Sequence, residues 1–207
     1  MTKTNRPTKR LENRAQRQTQ ILDAARACVR VDGFHAASLS RIAAQASMSG
    51  GHIYQYFDTK EAIMIALCER DFEDFMLGIT KLGDHVSHDK ATTIESLTNQ
   101  IMSLYSHDRT ALTLDIIAEA GHNPKFLDLV SRVDDRIRDA FRTIIEPLLQ
   151  DLTRQEIDER AETLLVMARG LAVQMCMRPA SDHRLLAATL KHALRGALAV
   201  EAADTGT

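Results

Sequence analysis

Residues 38–60 read SLSRIAAQASMSGGHIYQYFDTK, and this stretch decides the fold. A short apolar segment, Leu39, Ile42, Ala43 and Ala46, is followed by the turn-like run Ser47, Met48, Ser49, Gly50, Gly51. A second short segment places Ile53 and Phe57 four residues apart on one helical face, with His52, Gln55 and Tyr56 on others. Ser38 and Ser49 stand where helix N-caps are wanted. Two short helices joined by a tight turn are the organisation of a helix-turn-helix, whose second helix enters the major groove of DNA.

Side chains around that second helix suit a phosphate-lined groove. Gly50 and Gly51 have no Cβ, so backbone can approach a duplex closely, and at a helix start their N–H groups point at phosphate. Tyr54 and Tyr56 offer hydroxyls to phosphate and flat rings to sugar, while His52 and Gln55 have the reach for base edges. Lys60 adds a cation at the start of the next helix. Ser38, Ser40, Arg41 and Ser49 complete the expected DNA contacts, whereas Ile53 and Phe57 are expected to hold the motif together.

The flanking sequence has the charge distribution such a motif needs. Residues 1–60 carry ten Lys and Arg against four acids, a net of +6, so residues 61–207 carry −8 to reach the overall −2. A basic N-terminal third on an acidic remainder fits a nucleic-acid-binding head on a separate body. Aromatic residues make up 4% of the 207 residues and Gly and Pro are few, while runs of alternating Val, Ile, Thr and Tyr are absent, so the chain reads as all-α. Cys28, Cys68 and Cys176 are distant and odd in number, which suits buried thiols in a reducing cytosol rather than a disulfide framework or zinc ribbon. No apolar run approaches the ~20 residues that span a bilayer, and the basic N-terminus lacks a signal-peptide core, so no membrane association is expected and a cytoplasmic location is.

Local signals divide the chain into helices. Residues 1–12 are polar and basic and read as disordered in isolation; a first helix is expected over 13–32, stopped by Gly33, with Ile21, Ala25, Cys28 and Val29 as its apolar stripe. Asp58-Thr59-Lys60-Glu61 has capping-box form and opens a fourth helix to about residue 82, followed by a loop over 83–89 that includes His85 and His88. In the body, Thr92-x-x-Glu95 is expected to cap a helix ending near His107, and another covers 109–121. Asn123-Pro124 starts a long helix reaching Leu152 with a bend near Pro147, Thr153-x-x-Glu156 caps one to about 178, and a last helix covers 182–203. The DNA-binding domain is expected over 1–60 and the remainder over 61–207.

The run from Ser38 to Ala62 resembles the DNA-binding signature of TetR/AcrR-type transcriptional repressors. The matching residues are Ser38, the Ile42-Ala43 pair, the Ala46-Ser47-Met48-Ser49 turn, Tyr54, Tyr56-Phe57 and Lys60-Glu61. Two positions depart from the pattern: Ser47 replaces the turn glycine and Met48 the usual small β-branched residue. If that turn needs a positive φ, Ser47 carries a cost of about 1 kcal/mol.

This resemblance implies a homodimer on a double-stranded, palindromic operator, released by a small-molecule inducer whose identity the sequence does not name. It implies that the last two helices form a four-helix bundle with the partner. The stripes Leu164, Ala168, Leu171, Met175 and Leu186, Leu190, Leu194, Leu198 are compatible with that, as they are with an intramolecular core. It also implies a pocket in the body, for which Met102, Tyr105, Ile116, Glu119, His122, Phe126, Ile137, Phe141, Met167, Leu171 and Met175 are the candidate lining. Glu119 and His122 have the spacing of one helical face, but no second E-x-x-H motif exists to complete a metal site, so neither metal nor cofactor is expected.

Two other readings stay open. One is a DNA-binding regulator or architectural protein with no inducer. The other is a helical enzyme carrying a basic head, although no GxSxG elbow, phosphate-cradling glycine loop or HExxH helix motivates catalysis.

Overall fold

In a computed structural model, which describes residues 6–83, 89–104, 107–177 and 183–199, the chain is all-α, with no strand among the described residues. It divides into two compact units, 1–71 and 72–207, with the division inside the fourth helix.

The first unit begins with α1 (Arg6–Asp32). Residues 6–12 are therefore helical, where the sequence suggested disorder. Gly33 stops α1 with φ 81°, a conformation that costs glycine little, and its amide closes the last turn on the Val29 carbonyl at 2.8 Å. Phe34 turns the chain inward, and α2 (Leu39–Gln45) and α3 (Gly50–Ile53) follow. Ile21, Ala25, Cys28, Phe34, Ile42, Ala43, Ala46, Ile53, Phe57, Ile63, Met64 and Leu67 are all buried in this unit. Each large apolar side chain taken from water in this way contributes about 1.5–3 kcal/mol before chain entropy is counted.

Helix α4 (Lys60–Gly83) starts one residue later than the Asp58 box implied. Its cap is Thr59, whose Oγ1 accepts the Ala62 amide at 3.0 Å. Two ion pairs join α1 to the first part of α4: Arg26 with the buried Asp71, and Arg70 with Asp23 at 2.7 Å.

The second unit contains the rest of α4 and α5 (Lys90–Leu104), α6 (His107–Ala120), α7 (Pro124–Ile145), α8 (Arg154–Met177) and α9 (His183–Ala197). Asp89, not Thr92, caps α5: its carboxylate accepts the Thr92 amide at 2.9 Å and the Thr92 hydroxyl at 2.6 Å. Glu95, assigned to a cap by its spacing, instead pairs with Lys191 on α9. Asn123 caps α7 through the Lys125 amide at 3.0 Å, and Pro124 occupies the first turn, where it costs no hydrogen bond.

Helix α7 stops at Ile145 rather than bending on to Leu152. Pro147 lacks the N–H that would continue the ladder and its ring crowds the carbonyl four residues back, so residues Glu146–Leu148 form a 3-10 turn. The Thr153–Glu156 box forms as expected, with the Thr153 amide donating to Glu156 Oε2 at 2.7 Å and the Glu156 amide to Thr153 Oγ1 at 3.3 Å.

One cluster fills this unit. Ile79, Ile94, Leu97, Ile101, Phe141, Ile144, Ile145, Ile157, Leu164, Leu165, Leu171, Leu190, Leu194 and Leu198 are buried together. Outside it, Arg138–Glu162 (2.6 Å), Arg142–Asp158 (2.5 Å) and Arg169–Asp134 lace α7 to α8. Such partly exposed pairs each contribute only about 0–1 kcal/mol, so they set helix register more than stability.

Candidate nucleic-acid interface

The helix-turn-helix stands on an apolar base. Ile42 and Ile53 are fully buried, and Ala43, Ala46 and Phe57 are nearly so, which fixes α3 against α2. Between them Ser47 takes φ 52°, the left-handed conformation expected where the related signature carries glycine. The amides of Ser47 and Met48 close the end of α2 on Ala44 (3.1 Å) and Ala43 (2.9 Å). Gln20 on α1 donates to the Ala46 carbonyl at 2.8 Å, tying the turn to the long helix.

Both serine caps form. Ser38 Oγ accepts the Arg41 amide at 3.3 Å and lies 2.9 Å from Ser40 Oγ; Ser49 Oγ accepts the His52 amide at 3.2 Å. These hydroxyls are thus engaged in starting α2 and α3. Ser40, Arg41, Gly51, Tyr54 and Gln55 are exposed, Tyr54 at 55%. Gly50 and Gly51 would meet nothing within 4 Å if given a Cβ, so nothing in the chain itself demands glycine there.

Three candidates are held by the head's own atoms. Arg41 pairs with Asp32 at 2.9 Å, and Lys60 Nζ donates to the His35 carbonyl at 2.8 Å while lying 5.6 Å from the Phe34 ring centroid. Tyr56 is half-buried, with His52 tilted against its ring at 5.5 Å and the Arg14 guanidinium over it at 5.6 Å. The neighbourhood of Arg14 and Tyr56, 42 positions apart in the sequence, has no local signal; only the basic periodicity of the N-terminal segment points toward it.

In the second unit, Ile116, Phe126, Phe141, Leu171 and Met175 are buried, and Met102, Ile137 and Met167 pack partly buried against the main cluster. Tyr105, like His85 and His88, lies outside the described residues. Glu119 and His122 do not share a helical face: α6 ends at Ala120, His122 lies beyond it and is exposed, and its amide closes the turn on Glu119 O at 2.9 Å. Among the described residues, no three His, Cys, Asp or Glu side chains are grouped as a metal site, and no helix is long and apolar enough to cross a membrane.

The leucine stripes of α8 and α9 are core rather than surface. Leu164, Ala168, Leu171, Met175, Leu190, Leu194 and Leu198 are buried within the chain, with Leu186 packed against them. The apolar side chains these helices expose are Val166, Val173 and Met177 on α8 and Leu185 on α9, alongside exposed Gly170, Ala188, Ala193 and Gly196.

Comparison with known proteins places this architecture. Residues 21–67 match the family described as bacterial regulatory proteins, tetR family, and residues 94–200 match the BetI-type transcriptional repressor C-terminal family. The HTH-type transcriptional regulator UidR of Escherichia coli (strain K12) is 31% identical over 133 residues. That match covers 59% of this chain and 65% of UidR, so the chain spans slightly less than two thirds of that relative. The fatty acid metabolism regulator protein of Bacillus subtilis (strain 168) is 26% identical over 155 residues, 75% of this chain and 78% of the relative. The crystal structure of the transcriptional regulator FadR from Bacillus subtilis in complex with stearoyl-CoA shares the fold, with a TM-score of 0.72 at 19% identity over 85% of this chain and 96% of that one. With both of its parts matched, and the second match alone covering just over half its length, the chain belongs to the tetR family of bacterial regulatory proteins.

Proposed function

We propose that this regulator is a ligand-responsive repressor that binds a palindromic operator as a homodimer and is released by a small molecule. The observation that carries the reading is the one-turn helix α3: it is capped by Ser49, seated on buried Ile53, and edged by exposed Gly51, Tyr54 and Gln55. A reading helix must be fixed from behind and bare in front, and this one is both. Tyr54 and Tyr56 are assigned to phosphate, and Gln55 and His52 to base edges. Ser38, Ser40, Arg41, Ser49, Gly50 and Lys60 shape or flank the contact. Two heads about one DNA turn (~34–36 Å) apart would read a palindrome.

The body is assigned ligand binding and dimerisation. Its methionines and the Phe141 region suit an adaptable apolar cavity, and a fatty-acid regulator among the relatives supports an inducer with a long apolar chain. The dimer face is assigned to Val166, Gly170, Val173 and Met177 on α8 with Leu185 and Gly196 on α9, a surface of apolar and small side chains that lets helices approach closely.

The test is fluorescence anisotropy on a duplex that the chain itself selects from a randomised pool. Salt-sensitive binding that Y54F and Q55A weaken supports the DNA assignment, and equal affinity for both variants and wild type would sink it. Stearoyl-CoA is the first inducer to try, since a protein of the same fold is seen with it. Release by no apolar thioester or acid would favour a regulator without an inducer, because a ligand shifts the equilibrium only by its differential affinity for the two states.

A further inference from the structure

We infer that the N-terminal part of α1 is an arginine ladder that grips the phosphates of duplex DNA flanking the segment read by α3. This rests on α3 being a DNA reader, and extends the contact to a segment that precedes the family match at residue 21.

The register of α1 carries the argument. Ile21, Ala25 and Cys28 recur every three or four residues and are buried in the head. Counted backward, the same helical face passes through positions 17, 14, 10 and 6, and all four are arginine. The face that packs the core thus becomes cationic where α1 runs past that core. It does so beside the reading helix: the Arg14 guanidinium lies over the Tyr56 ring, and Gln20, nearly two turns on, holds the end of α2 through Ala46. Lys9 adds a further charge, and Glu12 is the one acid between residues 6 and 20.

Left to itself this segment is poorly designed as a helix. Residues 11–17 are all exposed, so apart from the stack of Arg14 on Tyr56 and the bond from Arg17 to Gln20 little supports them. The first turn holds no acid, and cations there oppose the helix dipole. Arg6, Arg10, Arg14 and Arg17 stand three or four residues apart, where like charges repel. A row of phosphates removes all three penalties at once, whereas a surface that is merely solvated removes none. Positions 6 to 17 extend about 16 Å along the helix, or about five base pairs at ~3.4 Å each. The partner is therefore the backbone of the duplex adjoining each half-site.

The full chain, wild type and R10A/R14A/R17A, is titrated onto the self-selected duplex in two lengths: the selected core alone, and the core with about five more base pairs at each end. Wild type is expected to bind the longer duplex more tightly. The triple variant is expected to lose that length preference, to bind it about tenfold or more weakly, and to show a salt slope smaller by about 3 per head. R10K/R14K/R17K keeps the charge and is expected to recover most of the slope. Wild-type binding with an unchanged slope and length preference in the alanine variant overturns this inference alone. Failure of the wild type to select any duplex overturns the DNA reading and this inference together. Circular dichroism and thermal melting of each variant separate a lost contact from a lost fold, since alanine favours helix.

Discussion

Gln20 Nε2 reaches the carbonyl of Ala46, 26 residues away, and holds it at 2.8 Å. Ala46 closes α2 and precedes the strained Ser47, so one side chain on α1 fixes the elbow from which α3 projects. Gln20→Ala leaves a part-buried carbonyl without this donor and is expected to cost about 1 kcal/mol by urea denaturation. Because the elbow sets the angle of α3, affinity for the self-selected duplex should fall in the same variant while its salt slope stays constant.

Ser47 provides a separate probe of that elbow. At φ 52° an L-residue carries about 1–2 kcal/mol of strain, and glycine returns part of the gain through its freer unfolded state. Ser47→Gly is expected to leave stability equal or raise it by up to about 1 kcal/mol. Ser47→Val, β-branched at a positive φ, is expected to lower it by about 1–2 kcal/mol. Denaturation midpoints in the opposite order would show that the turn relaxes without strain.

Substitutions on α8 and α9 distinguish core from interface. Leu194 is fully buried, so Leu194→Glu places a charge in the core and is expected to unfold the second unit, at more than about 4 kcal/mol. Val166 and Val173 are 58% and 38% exposed, so V166E/V173E is expected to keep its helicity. Sedimentation velocity is expected to find this variant monomeric and the wild type dimeric. A folded double variant that still sediments as a dimer rejects this face as the interface.

Two helix caps give the second unit an acid sensitivity. Asp89 is held below the usual carboxylate range chiefly by the Thr92 hydroxyl and then by its amide, and Glu156 likewise by the hydroxyl and amide of Thr153. Because both hold their protons more weakly folded than unfolded, their stabilisation is complete above the ordinary carboxylate range. It is lost as pH falls through and below that range. The urea midpoint is expected to drop below about pH 4, and to drop less steeply in D89N/E156Q.

What the sequence made legible was local. Ser38, Ser49 and the Thr153–Glu156 box are each settled within four residues, and each forms. Where two caps competed, spacing alone misled: Thr92 fits the box pattern, but the ionised Asp89 three residues earlier is the better acceptor and starts α5 sooner. The shared helical face read for Glu119 and His122 does not form, because the spacing was counted across a helix end at Ala120. Periodicity located the leucine stripes of α8 and α9 but is silent on which neighbour covers them, and here the chain covers its own. The Arg14–Tyr56 stack was illegible for the same reason, since contact across 42 residues is a property of the packed head.

Helix α3 is a single turn, Gly50–Ile53, and of its length only the inward Ile53 is committed to the core. A reader this short has few letters in its alphabet. His52 and Gln55 are not buried, and neither belongs to the apolar base formed by Ile42, Ile53 and Phe57. On the proposed reading, exchanging those two side chains is expected to change the DNA sequence the protein prefers while leaving its architecture intact, so that specificity and fold can vary independently.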